Sequence, residues 1–158
     1  MNRPNYWLIA GGWLSLAAAV LHLAVIAGGA EWYRFFGAGE GMARAAERGE
    51  LTPHLITLGI VAILASWAAY AFAGAGLIRR LPLMRTALVA ISAVYLLRGL
   101  VIVPMLFLAE PTRFGIWSSL IVLTYGIAYA GGTWRAWPTL SNQQRAKTRL
   151  DSGPDLAR

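Results

Sequence analysis

The chain has 158 residues, enough for one domain, and 58% of them are hydrophobic. Asp, Glu, Lys and Arg together make up only 13%, about half the charged share of a typical soluble domain, which excludes an ordinary soluble fold. The net charge is +7, and the absence of cysteine excludes disulfides, thiol redox chemistry and thiolate metal sites.

Four long apolar runs follow one another along the chain, at residues 6–29, 53–78, 86–109 and 115–137. Each exceeds the roughly 20 residues with which an α-helix crosses about 30 Å of hydrocarbon. Tyr and Trp side chains cluster near the ends of the runs, where their amphipathic rings match the headgroup layer. We therefore predict an all-α integral membrane protein in which residues 1–138 form a bundle of four transmembrane helices.

The first run contains His22 and leads into the only sizeable loop, residues 30–52, which begins near Glu31. His22 is a candidate ligand contact or proton acceptor, although an interhelical hydrogen bond from a neutral imidazole is the simpler interpretation. Glu31 is a candidate partner for His22 or Arg98 if the loop folds into the bundle mouth, and a solvated interfacial carboxylate otherwise. A cleaved signal peptide with residues 8–27 as its apolar core is disfavoured because the run is too long.

The second run opens with His54, on the same side of the bundle as the end of the first run. His22 and His54 are the only two histidines, and we considered them as axial ligands of a haem. Their unequal depths argue against this pairing. Only Glu31 offers a nearby carboxylate for a metal ion. We therefore predict no cofactor and no metal site.

The third run carries Arg98 near its middle. A guanidinium keeps its proton, and a central Arg costs roughly 2.5–3.5 kcal/mol on translocon insertion scales. We therefore predict that Arg98 lies in the bundle interior. Its candidate partners are the hydroxyl groups of Tyr70, Tyr95, Tyr125 and Tyr129. A ligand site is favoured slightly over a purely structural role, because intramembrane charges usually line functional features.

Small and polar residues predict which face of each helix turns towards the bundle interior. The predicted inward faces consist of Gly11, Ser15, Ala18 and His22; Gly59, Ala62, Ser66 and Tyr70; Ile91, Tyr95, Arg98, Ile102 and Met105; and Ser118, Val122, Tyr125, Tyr129 and Gly132.

The distribution of Lys and Arg predicts the orientation in the membrane. Nine of these residues lie at the termini and in the turn at 79–85, whereas four lie on the opposite side. The positive-inside rule then predicts an inner-membrane protein with both termini cytoplasmic and residues 30–52 outside. Residues 139–158 are predicted to form a disordered basic cytoplasmic tail. The positive charge indicates topology and attraction to anionic lipid of the bilayer, and no nucleic-acid binding is predicted.

Residues 37–40, 75–83 and 95–99 read Gly-Ala-Gly-Glu, Ala-Gly-Leu-Ile-Arg-Arg-Leu-Pro-Leu and Tyr-Leu-Leu-Arg-Gly. These runs resemble small bacterial inner-membrane proteins, which implies a location but no activity. The architecture is also similar to that of four-span multidrug transporters. Those proteins use a carboxylate inside the first span, where this chain has His22, so the resemblance does not extend to their function.

Three functions are consistent with these features. The favoured one is binding or transport of an anionic or polar small molecule, or a lipid headgroup, in an outward-facing polar cavity. Its candidate ligand-binding residues are Arg98, His22, Tyr95, Tyr125, Glu31 and His54. The first alternative is a structural or accessory subunit that pairs with another membrane protein or a second copy. The second is a membrane enzyme acting on a lipid or isoprenoid; the single nearby carboxylate disfavours acid–base catalysis.

Overall fold

The computed structural model describes the backbone of residues 4–104 and 113–151, and the side chains of residues 4–104 and 113–140. Over these residues the chain forms five helices and no strand. The helices are α1 (Tyr6–Phe35), α2 (Glu40–Glu47), α3 (Thr52–Ala75), α4 (Met84–Leu100) and α5 (Arg113–Asp151). Four stretches are long and apolar enough to cross a membrane, namely α1, α3, Met84–Pro104 and Arg113–Leu140. The predictions of an all-helical chain and of four apolar candidate spans are therefore confirmed.

Local sequence explains where α1 begins and where it bends. Asn5 precedes the helix, and its side-chain oxygen accepts a hydrogen bond from the backbone N–H of Leu8 at 3.4 Å. Gly29 interrupts the helical backbone with φ 65° and ψ −151°, a conformation that suits glycine because it lacks a Cβ. The kink coincides with the predicted end of the first span at residue 29, and the helix then continues to Phe35.

The four long helices form an up-and-down bundle in which sequential helices pack against each other and α5 closes against α1. Leu8 of α1 lies against Gly74 near the end of α3, so these two helices are antiparallel. Trp67 of α3 packs on Tyr95 of α4. The order around the bundle is therefore α1, α3, α4, α5, and α2 lies across the ends of α1 and α3.

Glycines allow α4 and α5 to approach closely. A Cβ added to Gly99 would lie 2.7 Å from the Cα of Leu123, and one added to Gly126 would lie 2.9 Å from the backbone nitrogen of Leu96. Close packing through small residues is the usual way in which membrane helices associate. The rotation of α4 is thus set by Gly99, which must face α5.

The predicted inward faces of the helices are correct for parts of the bundle and wrong for α3. Gly11 and Ser15 of α1 are buried as expected, and so are Tyr129 and Gly132 of α5. On α3, however, the predicted residues Gly59, Ala62 and Ser66 are exposed, and the buried face is Pro53, Thr57, Leu64, Ala68 and Ala71. The Ser66 hydroxyl donates to the carbonyl of Ala62 in its own helix at 2.8 Å, so it needs no partner in the interior.

The ends of the later helices differ from the sequence predictions. Helix α3 ends at Ala75 instead of 78, because Gly76 adopts a left-handed cap with φ 80°. Residues 105–109, at the end of the predicted third span, lie outside the described residues. Helix α5 continues to Asp151, so residues 139–151 are helical where a disordered tail was predicted. Residues 143–147 read Gln-Gln-Arg-Ala-Lys, all residue types that favour helix; residues 152–158 lie outside the described part.

Candidate functional site

A hydrogen-bonded cluster joins all four long helices near the centre of the bundle. The Oγ of Ser15 on α1 lies 2.9 Å from the Oη of Tyr95 on α4 and 2.8 Å from the Oη of Tyr129 on α5. Tyr129 in turn donates to the backbone carbonyl of Trp67 on α3 at 3.0 Å. We call these four residues the central cluster.

Each hydroxyl group of the central cluster has one proton to donate, and this fixes the direction of every hydrogen bond in the cluster. Because Tyr129 gives its single hydroxyl proton to the Trp67 carbonyl, it can only accept from Ser15. Ser15 has then used its own proton, so Tyr95 must donate to Ser15. The chain of bonds therefore runs from Tyr95 through Ser15 and Tyr129 to Trp67, and no hydroxyl proton in it remains for a ligand.

Aromatic rings enclose the central cluster and exclude solvent from it. The ring centroid of Tyr95 lies 4.8 Å from that of Trp67 and 5.4 Å from those of Tyr125 and Tyr129. Ser15 and Tyr129 have no exposed surface. Among the predicted site residues, Tyr95 and Tyr125 are therefore in contact, and the arrangement of Tyr95 is that of a helix-packing residue.

Arg98 lies on the exposed outer face of α4 rather than in the bundle interior. Residues Ser92, Tyr95 and Gly99 form the inward face of α4, and Arg98 is about 100° around the helix from Gly99. Gly99 takes the inward position because only a residue without a side chain fits against Leu123. Arg98 makes no hydrogen bond or ion pair with any residue that the structure describes.

The histidines do not converge with Arg98. The Nδ1 of His22 lies 2.7 Å from the carbonyl of Ala18, so it donates within its own helix rather than between helices. His54 packs its ring edge-on against Tyr33 at 6.3 Å, and its Nδ1 lies 3.4 Å from the carbonyl of Glu50. Both imidazoles thus have local backbone partners.

Glu31 belongs to a charged cluster that the sequence interpretation did not anticipate. Arg34 bonds Glu31 at 3.0 Å, Glu40 at 3.0 Å and Glu47 at 2.7 Å, and Arg44 also bonds Glu40 at 3.0 Å. The hydrogen bonds from Arg34 and then Arg44 lower the pKa of Glu40 to about 2, and the Arg34 bond lowers the pKa of Glu47. The alternation of Glu and Arg from 31 to 47 was the sequence signal for this cluster. The pairs could not be assigned from it, because two of the partners of Arg34 lie on α2 and the position of α2 was not known.

Helix α2 places these carboxylates by packing its small residues on the bundle. Ala43 is buried against Val25 and Tyr33, which leaves the acidic side of α2 turned towards Arg34. Next to this cluster, Glu31, Trp32, Phe35 and Phe36 line an open depression of about 400 Å³. No group of three or more His, Asp or Glu side chains that could hold a metal ion occurs among residues 4–104 and 113–140.

Comparison of the chain with protein-family models, curated proteins and solved structures gives no match. Within the described residues, His22 and Glu31 share no hydrogen-bonding partner, which leaves an acid–base pair without geometric support. The unusual feature that remains is a permanently charged side chain on the apolar outer surface of α4.

Proposed function

We propose that the chain is an inner-membrane protein with both termini cytoplasmic, and that it acts as a non-catalytic subunit of a membrane assembly. The observation that carries this proposal is the exposed position of Arg98, which makes no polar contact with a described residue. A charge on the lipid-facing side of a helix is costly, and such residues normally face protein or water. A neighbouring protein in the membrane would remove that cost.

The depth of Arg98 supports a protein contact over a contact with lipid headgroups. Arg98 is 14 residues after Met84, the start of α4, or about 21 Å of helix. Its neighbour Gly99 contacts Leu123, which is ten residues after Arg113 at the start of α5, or about 15 Å. Both lengths exceed what one side chain spans, so snorkelling to either surface is disfavoured.

The orientation is supported by charge. Four Lys or Arg residues lie at the end of the bundle that carries the acidic loop 30–52, and nine lie at the opposite end, at the termini and in the turn at 79–85. The ligand-binding alternative has weaker support, because the protons of the central cluster are all used and neither histidine contacts Arg98.

Native mass spectrometry of the protein released from its own membranes tests the proposal. Wild type is compared with Arg98→Leu, with Val89→Ala as the control for an exposed position of the same helix and Arg135→Leu as the control for lost charge. We expect a second protein chain on wild type and on both controls, and its loss from a still-folded Arg98→Leu variant. A small molecule or lipid retained only with Arg98 supports the binding function instead, and an unchanged monomer contradicts the subunit proposal.

A further inference from the structure

We infer that the partner of Arg98 is a transmembrane helix of a different protein that carries an Asp or Glu at the middle of the membrane. This inference depends on the proposed subunit function and specifies its partner. A guanidinium is matched best by a carboxylate, whose two oxygens accept two parallel N–H bonds. Neither this chain nor a second copy of it holds such a carboxylate within an apolar run.

The sequence excludes a carboxylate from every apolar run. The seven acidic residues are Glu31, Glu40, Glu47, Glu50, Glu110, Asp151 and Asp155. None of them lies within residues 6–29, 53–78, 86–109 or 115–137. A second copy would thus bring no acidic group to the level of Arg98, and a symmetric dimer on this face would bring two Arg98 side chains together, which like-charge repulsion opposes.

Four of these carboxylates are, in addition, already paired with arginines. Glu31, Glu40 and Glu47 bond Arg34, and Glu50 bonds Arg48 at 2.6 Å. Releasing one of them would break an ion pair in the cluster around α2. The charges of this region therefore compensate one another and do not compensate Arg98.

Two neutral hydroxyl groups on α4 and α5 are also engaged. On α4 the hydroxyl of Ser92 donates to the carbonyl of Leu88 at 2.7 Å, and on α5 Thr124 donates to Leu120 at 3.0 Å. Even where such oxygens could accept a further bond, they carry no charge. An uncompensated cation would remain in a region of low dielectric constant, where an unpaired charge is most costly.

The surface around Arg98 has the pattern of a helix-packing seam. Ala90, Val94, Leu97 and Val101 are all exposed and follow one another at spacings of four, three and four residues. This spacing presents one apolar face to a single neighbouring helix, and Arg98 lies beside Leu97 near its middle. One charged residue in such a seam selects a partner with the opposite charge, since any other partner leaves the charge buried and unpaired.

The test uses the full chain in lipid vesicles and three labelled leucine-rich peptides of about 21 residues, one transmembrane helix in length. The peptides differ only at the central position, which is Glu, Gln or Leu, and association is measured by energy transfer. We expect the Glu peptide to bind wild type on the order of ten-fold more tightly than the Leu peptide. Arg98→Leu should abolish this preference, and Val89→Ala, a control at an exposed position of α4 outside the seam, should keep it.

A charge reversal gives an independent variant. In Arg98→Glu the preference should pass from the Glu peptide to a peptide with a central Arg. Equal binding of the Glu and Leu peptides by wild type overturns the inference, as does an Arg98-dependent homo-oligomer without peptide. If native assembly depends on Arg98 while the Glu peptide has no advantage, the subunit function stands and only the acidic partner is refuted. If the native assembly forms equally well in the Arg98→Leu variant, the proposed function itself is refuted.

Discussion

Each hydroxyl of the central cluster has a different role, although all three side chains are buried. Tyr129 both donates and accepts, whereas Tyr95 only donates. Loss of the Tyr129 hydroxyl oxygen leaves the hydroxyl proton of Ser15 without its acceptor inside the bundle. Loss of the Tyr95 hydroxyl group leaves no donor unsatisfied, since Ser15 still donates to Tyr129. The two tyrosines should therefore differ in their effect on stability.

We predict that Tyr129→Phe lowers the free energy of unfolding by about 1–3 kcal/mol, the range for a buried donor left unsatisfied. Tyr95→Phe should cost less than about 1 kcal/mol, close to the average for hydrogen bonds inside membrane proteins. Unfolding of both variants in detergent with a chemical denaturant measures the difference. Equal losses would contradict the bond directions derived for the cluster.

The carboxyl of Glu40 provides a test of the charged cluster by pH. Its pKa is lowered from 4.5 to about 2, so the ion pair stabilises the fold fully above about 4.5 and loses this contribution as pH falls towards 2. We predict that Arg34→Gln moves the NMR titration midpoint of Glu40 up towards 4.5, and only part of the way because Arg44 remains. Arg48→Gln is the control, since Arg48 pairs with Glu50. A Glu40 midpoint near 4.5 in wild type would refute the pairing.

At the scale of the helices, the crossing of α4 and α5 depends on the absence of a side chain. A Cβ at Gly99 would meet the backbone of Leu123, which cannot move as a side chain can. A Cβ at Gly59 on α3 would have nothing within 4 Å. The same substitution should thus have opposite consequences on the two helices.

We predict that Gly99→Ala lowers the free energy of unfolding by about 1–3 kcal/mol, as overpacking of a close contact does. Gly59→Ala should be neutral or slightly stabilising, because alanine favours helix without a clash. Thermal unfolding of the two variants beside wild type is the measurement. A Gly99→Ala protein as stable as wild type would show that α4 and α5 are not in close contact there.

The features that could be predicted from the sequence are those that are local to one helix. The lengths of the four apolar runs predicted the number of long helices, because that signal needs no knowledge of packing. The orientation of Arg98 could not be read in the same way. The rule that charges turn inward was outweighed by the fit of Gly99 against Leu123, a contact between two helices. Arg34 was missed for a similar reason, since its partners Glu40 and Glu47 lie on α2.

For the whole molecule, the absence of native cysteine allows the orientation to be tested directly. Ala38 and Pro82 are both exposed and lie in connections at opposite ends of the bundle. We predict that a membrane-impermeant maleimide labels Ala38→Cys in intact cells, and labels Pro82→Cys only after permeabilisation. The reverse pattern would invert the proposed topology, and labelling of both in intact cells would contradict a membrane crossing by α3, which lies between the two positions.

In the part of the chain that the structure describes, the bundle has charges at its ends, a hydroxyl cluster that joins its helices, and the guanidinium of Arg98, without an ion pair, on its side. We propose that this guanidinium holds the protein in an assembly. The most direct test is the mass of the native particle released from membranes, for wild type and for Arg98→Leu. We expect a heavier wild-type particle that contains a second protein chain, and a folded monomer without a partner for the variant. Identical particles would contradict it.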